Sequence, residues 1–202
     1  MKTILIFDLD GTLIQSSEYL DHMISEYLET HYHADPEAVR YYFSSTKGTA
    51  LPIQIQTFLH IEAEEAQHIA NTLFAQFQQG EMGRFFPGVI EVIKRLAQNY
   101  TLLLSTGNST AFARSNLQSG GIEDCFAEIL GSERIPKGSE HLEYFIHKLD
   151  LPQLREQAIF IGDGSKDRLI AQEAGMPFIH IDSYGEQEYQ DQYHISSVAL
   201  IE

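Results

Sequence analysis

The sequence predicts an α/β fold in which a parallel sheet carries helices on both faces and is interrupted by an inserted helical domain. In the second half of the chain, short unbroken apolar runs alternate with segments of helical periodicity. Between residues 16 and 84, by contrast, no strand-like run occurs and the patterns are helical. We therefore expect a core domain built from residues 1–15 and 85–202, and a separate helical domain at 16–84.

The predicted strands are apolar runs without polar alternation, which are typical of parallel strands covered on both faces. They span residues 3–7, 101–105, 127–130, 158–161 and 177–181. Core helices are predicted from an apolar stripe after Pro87, from a cap at Ser109, and at 139–149 and 166–174. The inserted domain has helical patterns at 22–32, after Asp35-Pro36, and at 62–79.

The composition restricts the class of partner. Lys and Arg number 13 against 29 Asp and Glu, which gives a formal net charge of −16. Nucleic acids and anionic membranes both attract basic proteins, so we expect neither as a partner. The single cysteine, Cys125, excludes an intramolecular disulfide. We expect a soluble cytoplasmic protein, and the sequence leaves monomer and homodimer open.

Four acidic residues follow two of the predicted strands. Asp8 and Asp10 come directly after the first strand, while Asp163 and Asp167 follow the strand at 158–161. Ligands of open parallel sheets bind beyond the carboxyl ends of the strands, so we expect these acids to cluster. Carboxylates about 4 Å apart repel by about 4 kcal/mol per pair at an effective dielectric of 20. Such a cluster needs a cation, and oxygen ligands favour Mg²⁺.

Groups suited to phosphate follow two other segments. Ser105, Thr106 and Gly107 place hydroxyls and backbone N–H groups ahead of a helix, an arrangement that binds anions. Lys137 lies in a loop before another predicted helix, where its ammonium group would offset the acids and hold a phosphoryl group.

These residues resemble the four motifs of the haloacid dehalogenase-like hydrolase superfamily, in the family's order and over nearly the whole chain. The matching positions are 7–12 (Phe-Asp-Leu-Asp-Gly-Thr), Thr106, Lys137 and 162–167. The resemblance implies a Rossmann-like core and makes the inserted helices the family's cap domain. One motif departs from the pattern, because proline usually follows the lysine, whereas here Pro136 precedes it and Gly138 follows.

The resemblance also implies a Mg²⁺-dependent phosphatase that acts through an aspartyl-phosphate. Asp8 would be the nucleophile, and Asp10 the general acid and base. The implied metal ligands are the Asp8 carboxylate, the Asp10 backbone carbonyl and Asp163, with Asp167 in or next to the metal shell. The implied phosphoryl ligands are Thr106, Gly107 and Lys137.

Asp10 argues against dehalogenation, because the dehalogenases of this family lack the second acid of the first motif. We therefore expect hydrolysis of a small phosphorylated metabolite, such as a sugar phosphate, phosphoglycolate or a nucleotide. Two alternatives stay open: a phosphomutase of the β-phosphoglucomutase type, and a non-catalytic binding or regulatory module. Lys47 is a candidate specificity residue in a stretch that resembles the mutase cap loop. Leu51 stands where those mutases carry a basic residue, which weakens the mutase interpretation.

Overall fold

The structure is a computed structural model that describes residues 3–46, 50–79, 84–182 and 194–201. The chain divides into two compact units. The first unit combines Met1–Ser16 with Met82–Glu202, and the second is Ser17–Glu81. Each unit encloses a hydrophobic core of its own.

Six parallel strands form the sheet of the first unit. In chain order, the strands of the described residues are β1 Ile4–Phe7, β2 Ile14–Gln15, β3 Arg84–Phe85, β4 Thr101–Ser105, β5 Phe126–Leu130, β6 Ala158–Gly162, β7 Phe178–Ile181 and β8 His194–Ile195. The sheet has the order β5-β4-β1-β6-β7-β8, with β1 paired in parallel to β4 and β6. The predicted α/β fold with a parallel sheet is therefore confirmed.

A second, small sheet consists of β2 and β3, which pair in antiparallel orientation. Ile14 lies opposite Phe85, and Gln15 lies opposite Arg84. The chain leaves the first unit after β2 and returns to it just before β3. The small sheet therefore joins the segment that leaves the first unit to the segment that returns to it.

The described residues also form nine α-helices and two short 3₁₀ helices. The α-helices are α1 Ser16–Tyr32, α2 Pro36–Ser45, α3 Leu51–Leu59, α4 Ala63–Gln79, α5 Val89–Leu96, α6 Thr110–Ser119, α7 Ser139–Leu149, α8 Leu154–Gln157 and α9 Ser165–Glu173. The 3₁₀ helices are Glu123–Cys125 and Val198–Leu200. In the ranges that the structure describes, no helix is long and apolar enough to cross a membrane.

Helix ends follow the predicted caps at two places. The Asp35 carboxylate accepts a hydrogen bond from Glu37 N at 3.2 Å, and Pro36 begins α2. The Ser109 hydroxyl accepts from Phe112 N at 3.2 Å at the start of α6. The helix predicted from Pro87 begins later, at Val89, because Gly88 adopts a φ of +79° immediately before it.

Apolar side chains from strands and helices fill both cores. In the first unit, one face of the sheet packs on α7 and α9. The main contributors are Ile4, Ile6, Leu103, Leu142, Phe145, Phe160 and Ile170. In the second unit, α1 to α4 pack around Leu28, Val39, Ile55, Ile69 and Leu73. Each such buried side chain contributes about 1.5–3 kcal/mol relative to exposure.

Candidate active site

Three neighbouring strands deliver polar residues to one edge of the sheet. Asp8 follows β1, Thr106 follows β4, and Asp163 follows β6. Since β4, β1 and β6 are adjacent and parallel, their carboxyl ends lie side by side. This edge is where ligands of open α/β sheets bind.

Lys137 links two of the acids. Its Nζ donates a hydrogen bond to Asp8 Oδ1 at 2.7 Å. It also lies 2.6 Å from Asp167 Oδ1, an ion pair rather than an aligned hydrogen bond. The exposed fractions of the three side chains are only 7%, 8% and 3%. Burial lowers the pKa of Lys137, but the attraction of Asp8 and Asp167 outweighs it, so the pKa is raised above its usual value.

Three carboxylates converge beside this lysine. Oxygens of Asp8, Asp163 and Asp167 lie within 4.8 Å of one another. Burial, and then the charges of Asp8 and Asp167, raise the pKa of Asp163 to about 8. Burial and Asp8 likewise raise the pKa of Asp167 to about 6, against the opposing effect of Lys137. An excess of carboxylate oxygens over cations fits a hard divalent metal ion, which this set could hold.

The Asp10 carboxylate has partners other than Lys137 and the three clustered acids. Its Oδ2 accepts a hydrogen bond from Asn108 Nδ2 at 2.7 Å and a longer one from Thr106 Oγ1 at 3.4 Å. Burial raises the pKa of Asp10, while hydrogen bonds from Ser16, Asn108 and Thr106 oppose that rise. Of the four acids expected to cluster, the carboxylates of three therefore form the possible metal site, while the Asp10 carboxylate is held by Asn108 and Thr106.

Two glycines let the carboxylates approach the backbone. Gly11 has a φ of +73°, and a Cβ there would lie 2.1 Å from Asp163 Oδ2. A Cβ at Gly162 would lie 2.5 Å from Asp167 Oδ2. Any larger residue at either position would displace the carboxylate that the position faces.

The two hydroxyls at the end of β4 have different partners. Ser105 Oγ lies 2.9 Å from His141 Nδ1, inside the core. Thr106 Oγ1 lies beside Asp10 and also accepts from Asn108 N at 3.1 Å. Gly107 is exposed, with open space around its Cα. Both hydroxyl residues are buried, and the Thr106 hydroxyl already has Asp10 and Asn108 as partners, so the role of Thr106 as a phosphate ligand stays a prediction.

Sequence reasoning assigned no role to three residues that support this site. Asn108 stood in the Thr-Gly-Asn turn after β4, and that turn was the available signal. Ser132 and His141 carried no signal, because a loop serine and a helical histidine are ordinary in isolation. Lys47, the candidate specificity residue, lies outside the described residues.

Comparison with known proteins gives consistent matches. A family model described as haloacid dehalogenase-like hydrolase matches residues 5–181. A phosphoglycolate phosphatase from Yersinia pestis is 33% identical, over 89% of this chain and 80% of that protein. One from Psychrobacter arcticus is 28% identical, over 94% and 87%. The solved structure of a haloacid dehalogenase-like family hydrolase from Streptococcus pneumoniae is similar, with a TM-score of 0.75, 26% identity, and 98% and 95% of the two chains covered.

Proposed function

Because the chain belongs to the haloacid dehalogenase-like hydrolase family, we propose that it is a Mg²⁺-dependent phosphomonoesterase that hydrolyses a small phosphorylated metabolite. The matches confirm the predicted family and the prediction of an enzyme of the phosphatase type. The observation that carries the finer proposal is the buried cluster in which Lys137 lies between Asp8 and Asp167. Asp163 completes the cluster, with its oxygen within 4.8 Å of the other two acids.

In the proposed first step, the Asp8 carboxylate attacks phosphorus. A bond forms between the Asp8 oxygen and phosphorus while the ester P–O bond breaks. Asp10 donates a proton to the leaving oxygen, so that an alcohol departs. The raised pKa of Asp10 supports this role, because burial keeps its proton available at a higher pH than an exposed aspartate would. Lys137, Thr106 and the Gly107 N–H hold the phosphoryl oxygens.

In the second step, ionised Asp10 accepts a proton from water as the water oxygen attacks phosphorus. The bond between phosphorus and Asp8 breaks, the Asp8 carboxylate is restored, and inorganic phosphate leaves. The hydrogen bond from Asn108 Nδ2 to Asp10 Oδ2 supports this step, because it stabilises the ionised form of Asp10.

The possible ligands fit Mg²⁺, since they are carboxylate oxygens, two of them from buried residues, beside a single ammonium group that does not balance their charge. Asp8, Asp163 and the backbone carbonyl of Asp10 would hold the ion, with Asp167 in or next to the metal shell. The bound ion supplies positive charge that offsets the carboxylates and the phosphoryl oxygens.

Relatives named phosphoglycolate phosphatase make phosphoglycolate the first substrate to test. Sugar phosphates and nucleotides complete the proposed class. The predicted role of the helical unit as a cap that selects the substrate belongs to this proposal. The net charge of −16 supports a small ester rather than a polyanionic polymer.

The test is phosphate release from phosphoglycolate and from p-nitrophenyl phosphate, with Mg²⁺ and with EDTA. We expect Asp8→Asn to lower kcat by about 10³-fold or more, because it removes the nucleophile. Asp124→Asn, an exposed acid in a 3₁₀ helix, is the matched control and should leave kcat unchanged. Activity that survives Asp8→Asn contradicts the mechanism, and label transfer from a bisphosphate into product would favour the phosphomutase.

A further inference from the structure

His141 is a fully buried histidine whose ring nitrogens both have polar partners. It lies in the first turn of α7, with Nδ1 2.9 Å from Ser105 Oγ and Nε2 2.8 Å from the Ile135 carbonyl oxygen. Because a carbonyl only accepts, Nε2 carries the proton and Nδ1 accepts from the Ser105 hydroxyl. Burial, aided by Lys137 and Lys166, lowers the pKa of His141 despite the bond to Ile135, so the ring is neutral at pH 7.

This neutral ring connects the sheet to the segment that carries the active-site lysine. We call residues 131–138 the lysine loop. Ser105 is the last residue of β4, and Ile135 lies two residues before Lys137. The ring therefore fixes the distance between the carboxyl end of β4 and the middle of the lysine loop.

Ser132 makes a second connection at the start of the lysine loop. Its Oγ donates to the Thr106 carbonyl at 2.8 Å and accepts from Lys137 N at 3.0 Å. Its own N–H donates to the Asn108 carbonyl at 2.7 Å. At the other end of the loop no side chain caps the N-terminus of α7. Glu133 adds a third connection, because its Oε2 accepts from Thr110 N at 2.9 Å. The ring of His141 holds the part of the loop between Glu133 and α7, through the Ile135 carbonyl.

We propose that His141 is a positioning residue for Lys137, holding the lysine loop so that Nζ lies between Asp8 and Asp167. Only the kinetic consequence rests on the proposed function. The contacts of Nζ are 2.7 and 2.6 Å long, so a small shift of the loop breaks at least one of them. A misplacement of about 1 Å in an active site costs on the order of 10²-fold in rate.

Two substitutions separate the polar role of the ring from its shape. His141→Phe keeps an aromatic ring but leaves the Ile135 carbonyl without its donor, a loss that a shifted loop would relieve. His141→Gln offers one donor and one acceptor, as the neutral ring does. Asn116→Leu is the matched control, because Asn116 is a buried polar residue on α6 that donates only locally, to Phe112 O at 2.9 Å.

The first measurement is kcat/KM at a temperature where circular dichroism shows every variant folded. We expect His141→Phe to lower it about 10- to 100-fold, His141→Gln to recover most of that loss, and Asn116→Leu to leave it unchanged. In a Lys137→Ala background, His141→Phe should have an effect of less than about twofold, since it acts through the lysine. An equal loss in both backgrounds, or no recovery with Gln, overturns the inference.

The second measurement needs no enzymatic activity. Trace acetylation with acetic anhydride, quantified by mass spectrometry, compares Lys137 with the exposed Lys94 of the same molecule. We expect Lys137 to react slowly in the parent protein and several-fold faster in His141→Phe, but not in Asn116→Leu. An unchanged Lys137 rate overturns the inference. If the parent protein hydrolyses no phosphate ester, the proposed function is overturned. The labelling result then decides by itself whether His141 positions Lys137.

Discussion

Replacing Lys137 with methionine is expected to destabilise the first unit, most strongly at alkaline pH. The substitution removes an ammonium group that lies 2.7 Å from Asp8 Oδ1 and 2.6 Å from Asp167 Oδ1. Methionine keeps the apolar stem of the side chain, so the change isolates the loss of charge. The exposed fractions of the two carboxylate side chains, 8% and 3%, leave little room for water to replace the ammonium.

The expected loss follows from opposing contributions. At an effective dielectric of about 20, one contact near 2.7 Å is worth about 6 kcal/mol. Desolvation of each ion offsets several kcal/mol of this, so deleting one partner of a buried pair costs about 3–5 kcal/mol. The remaining carboxylates of Asp8, Asp163 and Asp167, at up to 4.8 Å, repel by about 3.5 kcal/mol per pair. We therefore expect the free energy of unfolding to fall by about 3–5 kcal/mol at pH 8.

Protonation of the carboxylates relieves the same repulsion. The loss of stability caused by Lys137→Met should therefore depend on pH. The pKa of Asp163 is raised from 3.8 to about 8, and that of Asp167 from 3.8 to about 6. A carboxyl with a raised pKa binds its proton more tightly in the folded state, so its contribution to stability is lost as pH rises from 3.8 through these values. Without the ammonium both pKa values rise further. The penalty of Lys137→Met is therefore smaller at pH 5 than at pH 8.

Urea unfolding in EDTA at the two pH values measures this difference, and a repeat with Mg²⁺ should recover part of the loss at pH 8. The control is Lys94→Met on α5, an exposed lysine whose loss should change stability by no more than about 0.5 kcal/mol. A loss below about 1 kcal/mol at pH 8, or equal losses at both pH values, would refute the reasoning.

Two further substitutions test the surroundings of the acids. Asn108→Ala removes the donor 2.7 Å from Asp10 Oδ2, so the pKa of Asp10 should rise and the basic limb of the pH profile of kcat/KM should move upward by about one unit or less. An unmoved limb would contradict the proton-donor role. Gly11→Ala places a Cβ 2.1 Å from Asp163 Oδ2 at a φ of +73°. It should destabilise more than Gly121→Ala, which has a φ of +61° but open space and so costs only backbone strain of about 1–3 kcal/mol. Equal losses in urea unfolding would show that the close approach is unimportant.

The core strands and helices were predictable because local pattern and burial agree there. The helix predicted at 139–149 is α7, Ser139–Leu149, and the strand predicted at 101–105 is β4. Both segments have one dominant periodicity and clear end signals. Such elements are stabilised by side chains whose spacing already matches the structure they form.

Elements that depend on distant partners were not predictable. The helix α3 contains Ile53-Gln54-Ile55-Gln56, whose alternation is typical of a strand, yet Ile55 and Gln54 are buried in a helical core. The two-residue strands β2 and β3 exist because each pairs with the other across the connections between the two units. An alternation of four residues is too short to distinguish a strand from part of a helix. Strands that pair with a segment about 70 residues away, such as β2 and β3, leave no local pattern that differs from that of a loop.

The candidate site was also predictable only in part. Strand ends carry Asp8 and Asp163 to one edge of the sheet, and this follows from the order of strands and acids along the chain. The direction of each carboxylate does not follow from that order. Asp10 accepts a hydrogen bond from Asn108, which lies in the Thr-Gly-Asn turn after β4, and His141 meets Ile135 through the fold of a loop. Side-chain partners of this kind require the backbone in three dimensions.

The charge of the cluster bears on the proposal that an acidic protein binds a phosphate ester. Asp8, Asp163 and Asp167 contribute three negative charges and Lys137 one positive charge, so the fully ionised cluster carries 1 − 3 = −2. Burial and the charges of Asp8 and Asp167 raise the pKa of Asp163 to about 8, so repulsion within the cluster favours a retained proton near neutral pH. One divalent cation has the charge that removes the excess, and it must displace that proton to bind. The net charge of −16 therefore does not oppose the proposed phosphate chemistry, because the positive charge would be local, supplied by Lys137 together with the proposed metal ion.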